Sequence, residues 1–272
     1  MLFKKNIKVV VGGSGALYPM YLGCLYRLKK EGFNIKTVGA TSGGAISATI
    51  WASPLVENEE EALKEFLCAT LPRKHKKVIK YSLIHFFRKW GLINGEPLER
   101  HFENVFFSKL GQAETPLEIY TVNIQRNKRV VFSSEKNPDL SLPKVLRASC
   151  SIPLIFDPVE INGKKYIDGG WSCPLPIASD DCSSLGIRIR KSRESYLTTG
   201  LIDYMQNILY KKIEIHDADK PEQNNIVELI SKYDRTNLTN SSEEDVCGMF
   251  DEGYEQMGAF LNESNNQKEK NS

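Results

Sequence analysis

The segment Gly39-Ala40-Thr41-Ser42-Gly43-Gly44-Ala45 follows directly on the apolar stretch Ile35-Lys36-Thr37-Val38, and it leaves the backbone few options. A strand that turns straight into a helix at a serine needs tiny side chains two residues before and two after the turn. Ala40, Gly43 and Gly44 meet that limit, with Ala40 standing where the usual motif has glycine. Ala45-Ile46-Ser47-Ala48-Thr49-Ile50-Trp51 reads as the helix packed behind the turn, its N-terminal N–H groups aimed at the serine. This is the arrangement a serine nucleophile requires. Taken alone, the turn is explained equally well by strand–helix packing, where small residues are common.

The surrounding pattern places this turn in an α/β framework. Ile7 to Val11 is an apolar run ending at Gly12-Gly13-Ser14-Gly15, and Tyr18 to Lys30 repeats apolar residues at helical spacing until Gly32. Strand, helix, strand, turn and helix make a βαβα opening, which implies a parallel sheet covered by helices. Glu59–Thr70, Glu96–Phe107 and Leu142–Ser149 read as further helices. Leu117–Ile124 and Val130–Phe132 flank a hairpin turn, and Ile161–Ile167 holds a second hairpin with Asn162-Gly163 at its tip. Leu185–Ile189 reads as a strand and Tyr196–Ile213 as a helix. Ser241-Ser242-Glu243-Glu244 reads as a capping box opening a last helix that runs to Leu261. Without a repeat or an evident linker, the expectation is one domain over residues 1–261 and a polar, disordered tail over 262–272.

Composition narrows the function classes. A formal net charge of +2 over 272 residues gives no reason to expect nucleic acid as a partner. Cys24, Cys68, Cys150, Cys173, Cys182 and Cys247 are scattered, which suits neither a zinc site nor a disulfide framework and points to a reducing compartment. Met1-Leu2-Phe3-Lys4-Lys5 leads straight into a strand without the apolar core of a secretory signal, so the expected location is cytoplasmic. No apolar run is long enough to span a bilayer.

Three short elements carry the candidate chemistry. Gly13-Ser14-Gly15, between the first strand and first helix, lets backbone N–H groups approach an oxyanion or phosphate, although it lacks the lysine of a P-loop. The Ser42 turn is the second. The third is Tyr166-Ile167-Asp168-Gly169-Gly170, whose plain reading is a hairpin turn. Taken in this order, the three resemble the patatin-like phospholipase family, with its glycine-rich loop, Gly-x-Ser-x-Gly elbow and downstream Asp-Gly-Gly. Arg147-Ala148-Ser149-Cys150-Ser151-Ile152-Pro153-Leu154-Ile155-Phe156-Asp157-Pro158 and Pro176 resemble the family's segments around the aspartate, and Glu252-Gly253-Tyr254 its last helix.

The resemblance implies a three-layer α/β/α sandwich with a mainly parallel central sheet. It implies Ser42 as nucleophile, Asp168 as general base, and Gly13, Ser14 and Gly15 as the oxyanion hole, with Gly43, Gly44, Gly169 and Gly170 supporting the turns. No cofactor and no metal are expected. The family's basic residue and following glycine are replaced here by Leu17 and Tyr18. His75, His85, His101 and His216 read as surface or packing residues, with His101 and His216 kept as alternatives for a triad.

The implied activity is phospholipase A-type hydrolysis of a phospholipid or other ester lipid through an acyl-serine. The rivals are an esterase or thioesterase acting on soluble esters, and a silent lipid- or partner-binding protein of the same fold. Pro72 to Leu92 sets basic residues ahead of aromatic ones at helical spacing. That pattern suits either core packing or peripheral contact with an anionic membrane through Lys76, Lys77, Phe86, Phe87 and Trp90. The sequence sets no oligomeric state.

Overall fold

The computed structural model describes residues 6–70, 89–177, 184–191, 225–233 and 241–271. Its strands are β1 (Asn6–Val11), β2 (Asn34–Thr41), β3 (Gly91–Ile93), β4 (Leu117–Asn123) and β5 (Lys128–Ser133), then β6 (Leu154–Phe156), β7 (Val159–Ile161), β8 (Lys164–Asp168), β9 (Ser184–Lys191) and β10 (Ile226–Ser231). The helices are α1 (Tyr18–Lys30), α2 (Gly43–Trp51), α3 (Glu60–Thr70), α4 (Glu96–Val105), α5 (Leu142–Ser149) and α6 (Glu243–Asn271). Eight strands form one sheet in the order β10-β9-β1-β2-β4-β8-β7, with β5 also paired to β4. The run from β10 to β4 is parallel, while β5, β7 and β8 are antiparallel to their neighbours. Helices flank this sheet, giving the α/β/α class that the sequence implies.

The parallel strands are apolar on both faces because helices cover both. Val9, Val11, Val38, Leu117, Ile119, Leu185 and Ile187 are fully buried. β4 has an unusual share of partners. β5 lies along one edge of it, from Glu118 to Asn123. On the remaining edge, β2 pairs with Leu117–Tyr120 and β8 with Thr121–Asn123. The two strands therefore meet end to end beside β4, and each runs toward the other.

Helices α1 and α6 cross at contact distance. A Cβ on Gly253 would lie 2.0 Å from the Met20 carbonyl oxygen, and one on Gly23 would lie 2.0 Å from that of Phe250. The Cys24 thiol donates to the Gly253 carbonyl at 3.2 Å, and Arg27 stands over the Tyr254 ring at 4.9 Å. The glycine of Glu252-Gly253-Tyr254 thus has a packing reason.

Several expectations are adjusted. The capping box pairs Ser242 with Asp245: each side chain accepts from the other's backbone N–H, at 3.0 and 2.8 Å. The last helix continues past Leu261 to Asn271, over a stretch without glycine or proline. Strands β3, β6 and β10 were not anticipated. The expected helix over Tyr196–Ile213 lies outside the described residues.

Substituting Gly253→Ala forces α1 and α6 apart. Urea unfolding is expected to show a loss of about 1–3 kcal/mol, the usual cost of overpacking. An unchanged midpoint would contradict the helix contact.

Candidate active site

Ser42 is the first residue beyond β2 and sits immediately before α2. Its backbone is left-handed, with φ of 53° and ψ of −129°. A non-glycine residue rarely adopts that conformation, which costs on the order of 1–3 kcal/mol and persists only where surroundings impose it. They do so by proximity. A Cβ on Gly43 would come within 2.4 Å of the Gly15 carbonyl, and one on Gly44 within 2.3 Å of the Gly12 carbonyl. The Ser42 carbonyl accepts the Ala45 N–H at 2.8 Å, which starts the helix.

Asp168 is the last residue of β8 and pairs with Thr121, while Thr41 pairs with Tyr120 one residue below. The end-to-end meeting of β2 and β8 therefore brings Ser42 and Asp168 to one level of β4. The Ser42 side chain lies near enough to favour the charged form of the Asp168 carboxyl, and Gly170 N–H donates to its Oδ1 at 2.7 Å. Gly169 lies against the Tyr120 carbonyl, where a Cβ would come within 2.4 Å. Both residues of the pair are buried, Ser42 at 7% and Asp168 at 5% exposure. Burial pushes the Asp168 carboxyl up to about 7, against the lowering effect of the Ser42 and Gly170 hydrogen bonds. The result is a carboxyl that changes protonation near neutral pH.

The glycine-rich loop is placed beside the pair, but its donors differ from expectation. Gly12 N–H donates to the Ile187 carbonyl and Gly13 N–H to the Pro174 carbonyl, both at 3.0 Å. Gly13 is therefore not an oxyanion donor. Its contribution is size, since a Cβ there would sit 3.6 Å from the Ser42 Cβ. Among the described residues, the N–H groups of Ser14 and Gly15 have no acceptor, unlike those of Gly12 and Gly13. Leu17 and Tyr18, which replace the family's basic residue and glycine, point into the core and are buried.

The other candidates lie elsewhere. The His101 Nε2 is engaged by the Thr70 carbonyl at 2.8 Å. His75, His85 and His216 lie outside the described residues, as do Lys76, Lys77, Phe86 and Phe87. Trp90 is exposed, and the Lys165 ammonium stands 4.5 Å from the centre of its ring.

Sequence reasoning assigned no role to Ser149 or Ser151, yet both contact the site. Ser42 N–H donates to the Ser149 hydroxyl at 2.9 Å, and Asp168 N–H donates to the Ser151 carbonyl at 2.9 Å. The sole available signal was their place in the segment that begins at Arg147.

Comparison with known proteins gives the family and the fold. A family model described as patatin-like phospholipase matches residues 9–180. The chain is 27% identical to the probable lipid hydrolase 463L of Invertebrate iridescent virus 6, across 92% of this chain and 88% of that one. It is equally 27% identical to protein R571 of Acanthamoeba polyphaga mimivirus, across 79% of this chain and 75% of that one. Among solved structures, VipD from Legionella pneumophila shares the fold with a TM-score of 0.57 at 14% identity, covering 96% of this chain and 67% of that one.

The buried carboxyl has a consequence for stability. The folded chain holds this proton up to about pH 7, whereas an unfolded aspartate releases it near 3.8. Between those values the folded state binds the extra proton, so this group's contribution falls as pH rises and levels off above about pH 7. Asp168→Asn removes the titration. Denaturant midpoints are expected to shift in the variant's favour from about pH 4 to about pH 7, then to differ by a constant amount. A difference independent of pH would show that the carboxyl is not shifted.

Proposed function

The chain belongs to the patatin-like phospholipase family, and we propose that it is a lipid acyl hydrolase cleaving a carboxylic ester through a Ser42–Asp168 dyad. The observation that carries this reading is the meeting of β2 and β8, which sets Ser42 beside a buried Asp168 carboxyl at one level of β4. Ser42 Oγ attacks the ester carbonyl carbon while its proton passes to Asp168. The carbonyl oxygen becomes an oxyanion facing the Ser14 and Gly15 N–H groups, with the N-terminus of α2 adding its positive end. Collapse of this intermediate breaks the bond to the alcohol, which takes the proton from Asp168 and leaves an acyl-Ser42. Water then gives a proton to Asp168 and attacks the acyl carbon. Release of the carboxylic acid returns the proton to Ser42.

A dyad demands a stronger base than an ordinary aspartate, and the raised carboxyl supplies one. The substrate class follows from the family and from the probable lipid hydrolase it resembles. We place its action at the surface of a lipid assembly reached from the cytoplasm. The second reading, a silent binding protein, is favoured by Leu17, whose side chain lies in the core where a cation would otherwise face the substrate.

Fatty-acid release from phosphatidylcholine vesicles is expected to fall on the order of 1000-fold or more in Ser42→Ala and in Asp168→Asn. Equal rates in all three proteins would remove the hypothesis, and absence of fluorophosphonate labelling at Ser42 would favour the silent reading.

The pH profile provides a separate check. Asp168 must be ionised to accept the proton, so kcat/KM should rise about tenfold per pH unit below roughly pH 7 and flatten above it. A profile flat from pH 5 to 8, by that order of estimate, would assign the base elsewhere.

A further inference from the structure

We propose that the turn Ser149–Ser151, at the C-terminal end of α5, is a positioning clasp that sets the nucleophile against its base. The inference rests on the roles given above to Ser42 and Asp168. Its starting point is what the sheet does not fix. The register with β4 places the ends of β2 and β8, but Ser42 lies beyond the last pair of β2 and its left-handed backbone is not held by any ladder. The two strands meet end to end, so no hydrogen bonds run between them to regulate the gap.

Ser149 fills that role from outside the sheet. Its hydroxyl is wholly buried, accepts the Ser42 N–H at 2.9 Å and donates to the Tyr120 carbonyl at 2.8 Å. A hydroxyl has one proton and a carbonyl can only accept, so the direction of both bonds is determined. The nucleophile's backbone is thereby tied to the β4 residue that lies beside the junction. Two residues later, the Ser151 carbonyl accepts the Asp168 N–H at 2.9 Å. One short stretch thus holds the backbone of both members of the pair.

The stretch is itself anchored. Arg147 is buried, and its guanidinium donates to Asp157 Oδ1 at 2.7 Å, to the Asp157 carbonyl at 2.8 Å and to the Ser151 hydroxyl. The Ser151 hydroxyl in turn donates to the Arg147 carbonyl at 2.8 Å. Asp157 Oδ1 also accepts the Gly95 N–H at 2.8 Å, joining the turn to the start of α4. Ser149 and Ser151 are therefore positioning residues, acting on the reacting groups through backbone contacts.

The test compares Ser149→Ala, Ser149→Cys and Ser149→Thr with wild type and Ser42→Ala, using p-nitrophenyl butyrate and a fluorophosphonate probe. Thermal unfolding of each variant is followed in parallel. Ala and Cys remove the strong acceptor, and Cys nearly preserves the volume should Ala fail to fold. Both are expected to lower kcat and the labelling rate by about 10- to 100-fold, the scale of a small misplacement, with KM within about twofold. Thr keeps the hydroxyl and is expected to retain most of the rate. The acid limb of the kcat/KM profile should also move to higher pH in Ala and Cys, because a loosened Ser42 no longer stabilises the Asp168 carboxylate. A folded Ala or Cys variant with wild-type kcat would overturn the clasp, as would a Thr variant as slow as Ala. If Ser42→Ala itself keeps activity, the dyad reading fails and the clasp falls with it. A dead Ser42→Ala beside an unaffected Ser149→Ala would fail the clasp alone.

Discussion

The arrangement on which the site depends is the meeting of two strands, C-terminus to C-terminus, on one edge of β4. Because β5 occupies the other edge, β2 and β8 have no alternative edge on that strand. Thr41 opposite Tyr120 and Asp168 opposite Thr121 leave the following serine and the terminal aspartate at the same height. A slip of one residue in either register would turn Asp168 to the other face of the sheet or lift Ser42 past it. The buried apolar positions of β4, with Leu117 and Ile119 fully enclosed, make such a slip costly. Site geometry is thus enforced by the same burial that stabilises the core.

Around this junction the chain accepts unfavourable local states. Ser42 holds a left-handed backbone, Asp168 is a carboxyl removed from water, and the amides of Ser14 and Gly15 lack acceptors among the described residues. Each is costly in isolation, and each is what the proposed acyl transfer would use: a hydroxyl held at a sharp turn, a carboxyl raised by burial and ready donors. The offset comes from packing elsewhere, above all the close crossing of α1 and α6, where Tyr26 lies against Phe250 and Tyr254 at 5.9 and 5.8 Å. A nearby buried Arg147–Asp157 pair, with its hydrogen bonds to backbone and hydroxyl, holds the supporting turn.

What was legible in the sequence was whatever a local pattern encodes. Helices α1 and α5 have the bounds read from their periodicity, and the Ser42 and Asp168 turns are located by glycines whose absence of a side chain the structure requires. Strands β3 and β6 were not legible, because three residues carry no periodicity and each exists only through the other. β10 escaped because Glu228 interrupts its apolar run, where it meets Arg188 and Arg190 from the neighbouring strand. The spent amide of Gly13 was hidden for another reason. Its acceptor, the Pro174 carbonyl, lies far along the chain, and no side chain marks the contact. Ser149 is illegible on the same grounds, being a serine among ordinary helical residues until the fold places it under Ser42.

This asymmetry bears on how the site can vary. On the proposed reading its donors to an oxyanion are backbone N–H groups, and Ser42 is held through backbone N–H and carbonyl contacts. Side chains at Leu17 and Tyr18 can therefore be rebuilt as core residues without removing a donor, provided the loop keeps its path. That path is guarded by close approach rather than by charge, since Gly43 and Gly44 touch the carbonyls of Gly15 and Gly12. The chemistry should accordingly tolerate exchanges of side chains that face substrate and fail on exchanges that shift the backbone by a fraction of an ångström. Electrostatic preorganisation of this kind depends on geometry more than on composition.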